Sequence, residues 1–152
     1  MKKIFLVATA FVVGFAATAQ QKADDIIKVS AAAHDFGKIK QSVPVTTYFV
    51  VTNTTDKPIV IENVSASCGC TTPEWEKPPV APGATSKIKV GYNAAATGTF
   101  TKDVFIKLAG VSETKNVKIT GEVLDPAAYA TYVKQGGSQK SKPAAAKPTK
   151  SS

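Results

Sequence analysis

Cys68 and Cys70 are the two cysteines of this chain, and the single residue Gly69 separates them. Thiols at positions i and i+2 support three kinds of chemistry: a local disulfide, a redox couple, or a pair of soft metal ligands. In a straight strand the two Cα atoms would lie about 6.6 Å apart with both side chains on one face. That distance is at the long edge of disulfide geometry, and Gly69 frees the backbone to bend and bring the sulfurs together. Such a bridge closes a very small loop, so chain entropy gives it less than about 2 kcal/mol of stabilisation. A bridge of this kind is also open to reduction. As free thiolates the pair would suit copper(I) or zinc, although a structural zinc site normally has four ligands. The plain alternative is a bridge, or two buried thiols, that only shapes a bend.

The other residues with chemical potential are few. His34 is the one histidine. It would be a third metal ligand with Cys68 and Cys70 if its strand passed near them, and otherwise an imidazole at the surface. Trp75 follows the cysteines by five residues, between Glu74 and Glu76. It offers either an aromatic interaction surface or a cap on one end of the core. Asp35-Phe36-Gly37 matches the kinase magnesium triplet in letters, but no glycine-rich loop, strand lysine or catalytic loop accompanies it. Phe36 is expected to anchor the core and Gly37 to permit a turn. Asn53-Thr54-Thr55 and Asn63-Val64-Ser65 are formal glycosylation sequons, relevant only in a eukaryotic secretory host. One histidine does not build a Ser-His-Asp set, and no phosphate-cradling loop occurs. The expected protein is not an enzyme.

The elements that must hold these residues read as strands. Thr47, Phe49 and Val51 alternate with polar neighbours, as do Ile88, Val90 and Tyr92. The same period of two places Val104, Ile106 and Leu108 on one face, and Val117, Ile119 and Val123 on another. Such alternation marks strands half-buried in antiparallel sheets. Asn53 to Pro58 and Pro82-Gly83 read as turns. Four prolines between Pro73 and Pro82 predict no regular structure there. Sustained helical periodicity is absent. About seven short strands in about a hundred residues predict an all-β, immunoglobulin-like antiparallel β-sandwich over residues 24–125.

The flanks differ in kind. Residues 1–19 have the layout of a secretory signal peptide: Lys2 and Lys3, an apolar run from Ile4 to Phe15, and Ala17-Thr18-Ala19 as a cleavage site. No cysteine follows for a lipid anchor, and the run is too short to span a membrane. The expectation is a periplasmic or secreted protein with cleavage near Ala19. Residues 126–152 are rich in Lys, Ala, Pro and Ser and predict a disordered tail. The formal net charge of +8 lies in the flanks, because residues 24–125 hold eleven lysines against eleven acidic residues. The chain contains no arginine, so nucleic-acid binding is not expected. The basic tail would at most touch anionic envelope surfaces.

Several short motifs occur together and in order: His34-Asp35-Phe36-Gly37-Lys38-Ile39, Phe49 through Asn53, and Ser67-Cys68-Gly69-Cys70-Thr71. Pro82-Gly83, Ile88-Lys89-Val90 and Ile119-Thr120-Gly121-Glu122-Val123 follow. With these motifs the chain closely resembles the bacterial domain-of-unknown-function family 1573 over roughly residues 30–123. The resemblance implies an immunoglobulin-like fold akin to domains of cilia, centrosome and pilus-chaperone proteins, and marks Asp35, Phe36, Gly37, Asn53, Gly69 and Thr71 as motif residues. It implies no activity. The reading that results is an exported non-catalytic interaction or structural module of the bacterial envelope, with an unidentified envelope protein as partner. The alternative is a small thiol redox or Cu(I)-binding protein acting through Cys68 and Cys70.

Overall fold

The computed structural model describes residues 22–137 and 142–143. The expected signal peptide, residues 1–19, and most of the expected tail beyond residue 137 lie outside these. A short helix, α1 (Ala23–Ile26), leads into β1 (Ile27–Val29), β2 (Ala33–Lys40), β3 (Val45–Asn53), β4 (Ile61–Ala66) and β5 (Thr71–Trp75). Then come β6 (Thr85–Tyr92), β7 (Gly98–Leu108), β8 (Lys115–Leu124), α2 (Pro126–Lys134) and β9 (Lys142–Pro143). The strands form two sheets, one ordered β1-β3-β6-β5 and the other β4-β7-β8-β2-β9. Seven of the described strands have five residues or more, in line with the predicted β-sandwich.

The alternating residues make the core. Thr47, Phe49 and Val51 of β3 pair across from Val90, Ile88 and Ser86 of β6, and all six are buried. The second sheet contributes Val104, Ile106 and Leu108 of β7 and Val117, Ile119 and Val123 of β8, all at most 1% exposed. Each such side chain stabilises the fold by about 1.5–3 kcal/mol on burial.

Three expectations need correction. First, β2 runs parallel to β8, while the other pairs are antiparallel; a period of two reports which face is buried, not strand direction. Second, β5 includes Pro73 within the supposedly irregular stretch. It lies at the edge of its sheet, where a missing N–H need not break the ladder.

Third, the segment from Pro126 is not tail throughout, because Pro126–Lys134 form α2. The Asp125 carboxylate accepts hydrogen bonds from the N–H groups of Ala127 and Ala128, both at 2.9 Å. At the other end Gly136, with φ +82°, donates to Val133 O, and Gly137 donates to Tyr132 O. This is a glycine C-terminal cap of the Schellman type. The helix buries none of its residues but sets Tyr132 under the Lys38 ammonium, 5.3 Å from the ring centre. We expect truncation after Asp125 to lower Tm by about 4–8 °C, the shift for about 1 kcal/mol in a domain of this size. An unchanged melt would mean that α2 contributes nothing to the sandwich.

Candidate functional site

The cysteine pair lies where the chain changes sheets. β4 ends at Ala66 in the five-stranded sheet, and β5 begins at Thr71 in the four-stranded one. Between them Cys68 and Cys70 form a disulfide with their Cα atoms 5.3 Å apart. The backbone is therefore bent well below the straight-strand spacing. The corner is pinned from both sheets. Ser67 N–H donates to Asp103 O at 2.9 Å, and Asp103 N–H donates to Ser67 Oγ at 3.1 Å. Thr71 N–H closes a turn onto Cys68 O at 3.3 Å, and Asn93 N–H holds Cys70 O at 3.1 Å. Gly69 is exposed, with open space where a Cβ would stand.

Thr71 carries the least expected feature. It is 4% exposed, and its hydroxyl lies 3.7 Å from Cys68 Sγ and 4.0 Å from Cys70 Sγ. Neither bridge sulfur has a hydrogen to give, so the hydroxyl is the donor in both contacts.

Beside this corner runs an open groove of about 310 Å³. Thr46 of β3, Gly91 of β6 and Thr72 of β5, side by side in the sheet register, line it together with Gly69 and Cys70. A Cβ on Gly91 would come within 2.9 Å of Thr72 Oγ1, so glycine is what keeps the trough open there. Glu74 and Lys89, directly paired across β5 and β6, line it as an exposed ion pair at 3.1 Å. Sequence reasoning missed Gly91. Its signal was a glycine inside an otherwise clean alternating run, which marks close approach of another group.

His34 does not join the cysteines. β2 is separated from β4 by β7 and β8, three strand spacings or about 14 Å. Among the described residues no three His, Cys, Asp or Glu side chains converge in a way that would hold a metal ion. Nor is His34 a free surface imidazole: its ring meets Phe36 edge-on at 4.7 Å, and its Nε2 is buried with no hydrogen-bond partner among the described residues. Burial lowers its pKa below the usual histidine value, outweighing the attraction of Asp35. The unfolded chain then binds the proton more readily than the folded one. His34 neutrality thus contributes stability that is complete above about pH 6.5 and is lost as the pH falls through that value. Thermal melts from about pH 7.5 to 5.5 should therefore fall more steeply for the native chain than for His34→Phe. Parallel slopes would contradict this role.

The remaining motif residues are structural. In Asp35-Phe36-Gly37 the Asp35 carboxylate accepts Gly37 N–H at 2.9 Å and the Thr120 hydroxyl at 3.3 Å. Gly37 has φ +66° where the pairing of β2 with β8 shifts register, and Phe36 is buried in the core. Gly121 of β8 completes the device: a Cβ there would be 2.8 Å from the Phe100 ring and 2.9 Å from Gly37 O. Asn53 is fully buried. Its amide donates to Lys57 O and Val80 O, and its oxygen accepts from Thr55 N–H and Oγ1. An Asn53 so engaged is no glycan acceptor in the folded state. The Trp75 indole N–H donates to Ile61 O of β4 at 3.2 Å, with Lys77 stacked 4.3 Å over the ring. Trp75 thus closes the seam between the two edge strands.

Two layered sheets with these edges define an immunoglobulin-like β-sandwich. The chain belongs to the family described as protein of unknown function (DUF1573), whose model matches residues 27–123. No curated protein matches the chain significantly. Solved structures with the same fold include a protein of unknown function from Porphyromonas gingivalis, with TM-score 0.56 and 15% identity over 70% of this chain and 50% of that one. The ASH/PapD-like domain 7 of human CEP192 is similar at TM-score 0.56 and 8% identity, over 77% of this chain and 99% of that domain. The VesB protease of Vibrio cholerae matches at TM-score 0.54 and 15% identity, over 66% of this chain and 33% of its own. The chain thus spans half of the Porphyromonas protein and a third of the protease. These likenesses concern the fold alone.

Proposed function

We propose that the chain is an exported, non-catalytic interaction module of the bacterial cell envelope, and that it holds a partner polypeptide in the groove beside the Cys68–Cys70 corner. The groove is the observation that carries this reading. Partner binding by strand addition is disfavoured, because each sheet edge is blunted. β1 has three residues, β5 contains Pro73, and β9 pairs with β2. β4 is bulged between Ile61 and Asn63, and its Ile61 carbonyl is taken by Trp75. A balanced domain charge and the lack of arginine favour a protein partner over nucleic acid. Export is supported by the leader-like sequence of residues 1–19; among the described residues no helix is long and apolar enough to cross a membrane. Fractionation with N-terminal sequencing should find the chain in the envelope fraction, starting near Gln20. An uncleaved chain in the cytoplasm would overturn the exported role. Cross-linking in intact cells should capture a discrete envelope partner.

A second reading, a small thiol redox protein, is favoured by one observation: Cys68 and Cys70 stand within bonding distance at an open corner. Thiol counting by mass spectrometry should show a two-dalton loss, from one disulfide, that mild reductant reverses. The Cu(I) variant of this reading requires the bridge to open first, since thiolates and not a disulfide bind the metal. Copper retained at about one per chain, and lost in Cys68→Ser, would support it.

A further inference from the structure

The bridge and its surroundings are asymmetric. Cys70 lines the groove and Cys68 does not. The buried Thr71 hydroxyl is nearer Cys68 Sγ, at 3.7 Å against 4.0 Å for Cys70 Sγ. A disulfide sulfur is a weak acceptor, so the hydroxyl of a residue that is 4% exposed, with the two bridge sulfurs as its side-chain partners among the described residues, is poorly served. A thiolate would serve it far better, because hydrogen bonds to an ionised acceptor are about twice as strong as neutral ones. The hydroxyl is thus placed for the reduced state of the pair.

We propose that the bridge exchanges with an external cysteine thiol that enters along the groove and attacks Cys70, while Cys68 leaves as a thiolate held by Thr71. This rests on the redox reading and adds its direction. The incoming thiol first loses its proton to solvent. Its thiolate then bonds to Cys70 Sγ as the Cys68–Cys70 bond breaks, and the bond's electron pair passes to Cys68 Sγ. The product is a mixed disulfide at Cys70 beside a Cys68 thiolate, which either takes a proton from solvent or attacks back to reclose the bridge. A second external thiol instead releases the first as an external disulfide. Two external thiols are then oxidised, and the protein gains two electrons and two protons. Exposed Gly69 leaves the approach unobstructed, with open space at its Cβ position. Thr71 acts as a positioning residue for the leaving sulfur, since a better stabilised thiolate is the better leaving group.

The test uses the full-length oxidised protein and reduced glutathione, with rapid alkylation and peptide mapping. Glutathione is expected on Cys70 and the alkyl label on Cys68. Thr71→Val should slow reduction about tenfold, the factor for one lost hydrogen bond to a charged group. It should also move the alkylation profile of reduced Cys68 to higher pH. Thr71→Ser should restore both. Glutathione mapped to Cys68, or native reduction rates in Thr71→Val, would overturn the direction while leaving a redox role intact. A bridge that resists glutathione altogether would overturn both. Because the adduct map is read on the native chain, it decides the matter even if Thr71→Val fails to fold.

Discussion

Asn53→Asp should be among the most damaging single-atom changes in this chain, unfolding most of it at physiological temperature. The Asn53 amide donates to Lys57 O at 2.7 Å and to Val80 O at 2.9 Å, from a residue that is 0% exposed. A carboxylate keeps the shape and can still accept from Thr55, but it turns an acceptor toward two carbonyl oxygens. The carboxylate would then either sit buried and uncompensated or take up a proton, and both outcomes cost stability. Asn53→Ala leaves the Thr55 N–H unpaired and removes one donor each from Lys57 O, which keeps the Thr55 hydroxyl, and from Val80 O, which keeps the Ile59 N–H. One orphaned group at about 1–3 kcal/mol and two lost hydrogen bonds at about 0.5–1.5 kcal/mol each give a cost of about 2–6 kcal/mol. That is a large fraction of the whole stability of an ordinary domain. Urea denaturation of the two variants measures it. A loss under about 1 kcal/mol in either would show that the turn repacks and that Asn53 is not its centre.

Gly121→Val should cost about 3 kcal/mol, the upper end of what overpacking a well-filled interior does. The added Cβ meets a backbone oxygen, Gly37 O, at 2.9 Å, and the Phe100 ring at 2.8 Å. The ring has little room to retreat, because Tyr92 stacks on it with centroids 4.1 Å apart. Burial there also raises the Tyr92 pKa. Relief requires moving the Gly37 bulge, which would strain the Asp35 contacts to Gly37 and Thr120. Gly121→Ala should show a smaller loss of the same sign. A Gly121→Val protein as stable as the native chain would mean that the two motifs do not interlock.

Much of the sandwich was legible because burial on one face imposes a period of two. Ile88-Lys89-Val90 and Val104 to Leu108 carry that signal without interruption, and their inward residues are the buried ones. What patterning leaves out is direction and neighbourhood, which is why the parallel pairing of β2 with β8 was not foreseen. The helix α2 was written in the sequence but misread. Asp125-Pro126 is a capping residue followed by a proline suited to the first helical position, and Gly136 is suited to the C-terminal cap. The Lys, Ala, Pro and Ser content of residues 126–152, taken as a whole, predicts only a tail and passes over these two helix ends. Pro73 was misjudged for a related reason, since a proline forbids a central strand but not an edge.

The candidate site was legible in part. The cysteines identified the corner, and the requirement for a bend at Gly69 followed from strand geometry. Thr71 entered only as a motif letter, because its relation to both sulfurs depends on a turn that brings residue 71 back over residues 68 and 70. The trough over Gly91 brings together β3, β5 and β6, whose adjacency depends on long-range pairing. The idea of His34 as a third ligand failed for the same reason, since it depended on two strands that the sheet order keeps apart.

The proposed groove is tested most directly by comparing the native chain with a Thr46→Arg, Thr72→Arg double variant in the same cross-linking capture from intact envelopes. Both threonines are exposed and line the trough, so the variant should fold while its side chains fill the space. The account expects a discrete partner recovered with the native chain and reduced at least about tenfold with the variant, the loss for roughly 1.4 kcal/mol of binding energy. Equal recovery by both chains, or a native monomer that captures nothing, would contradict it.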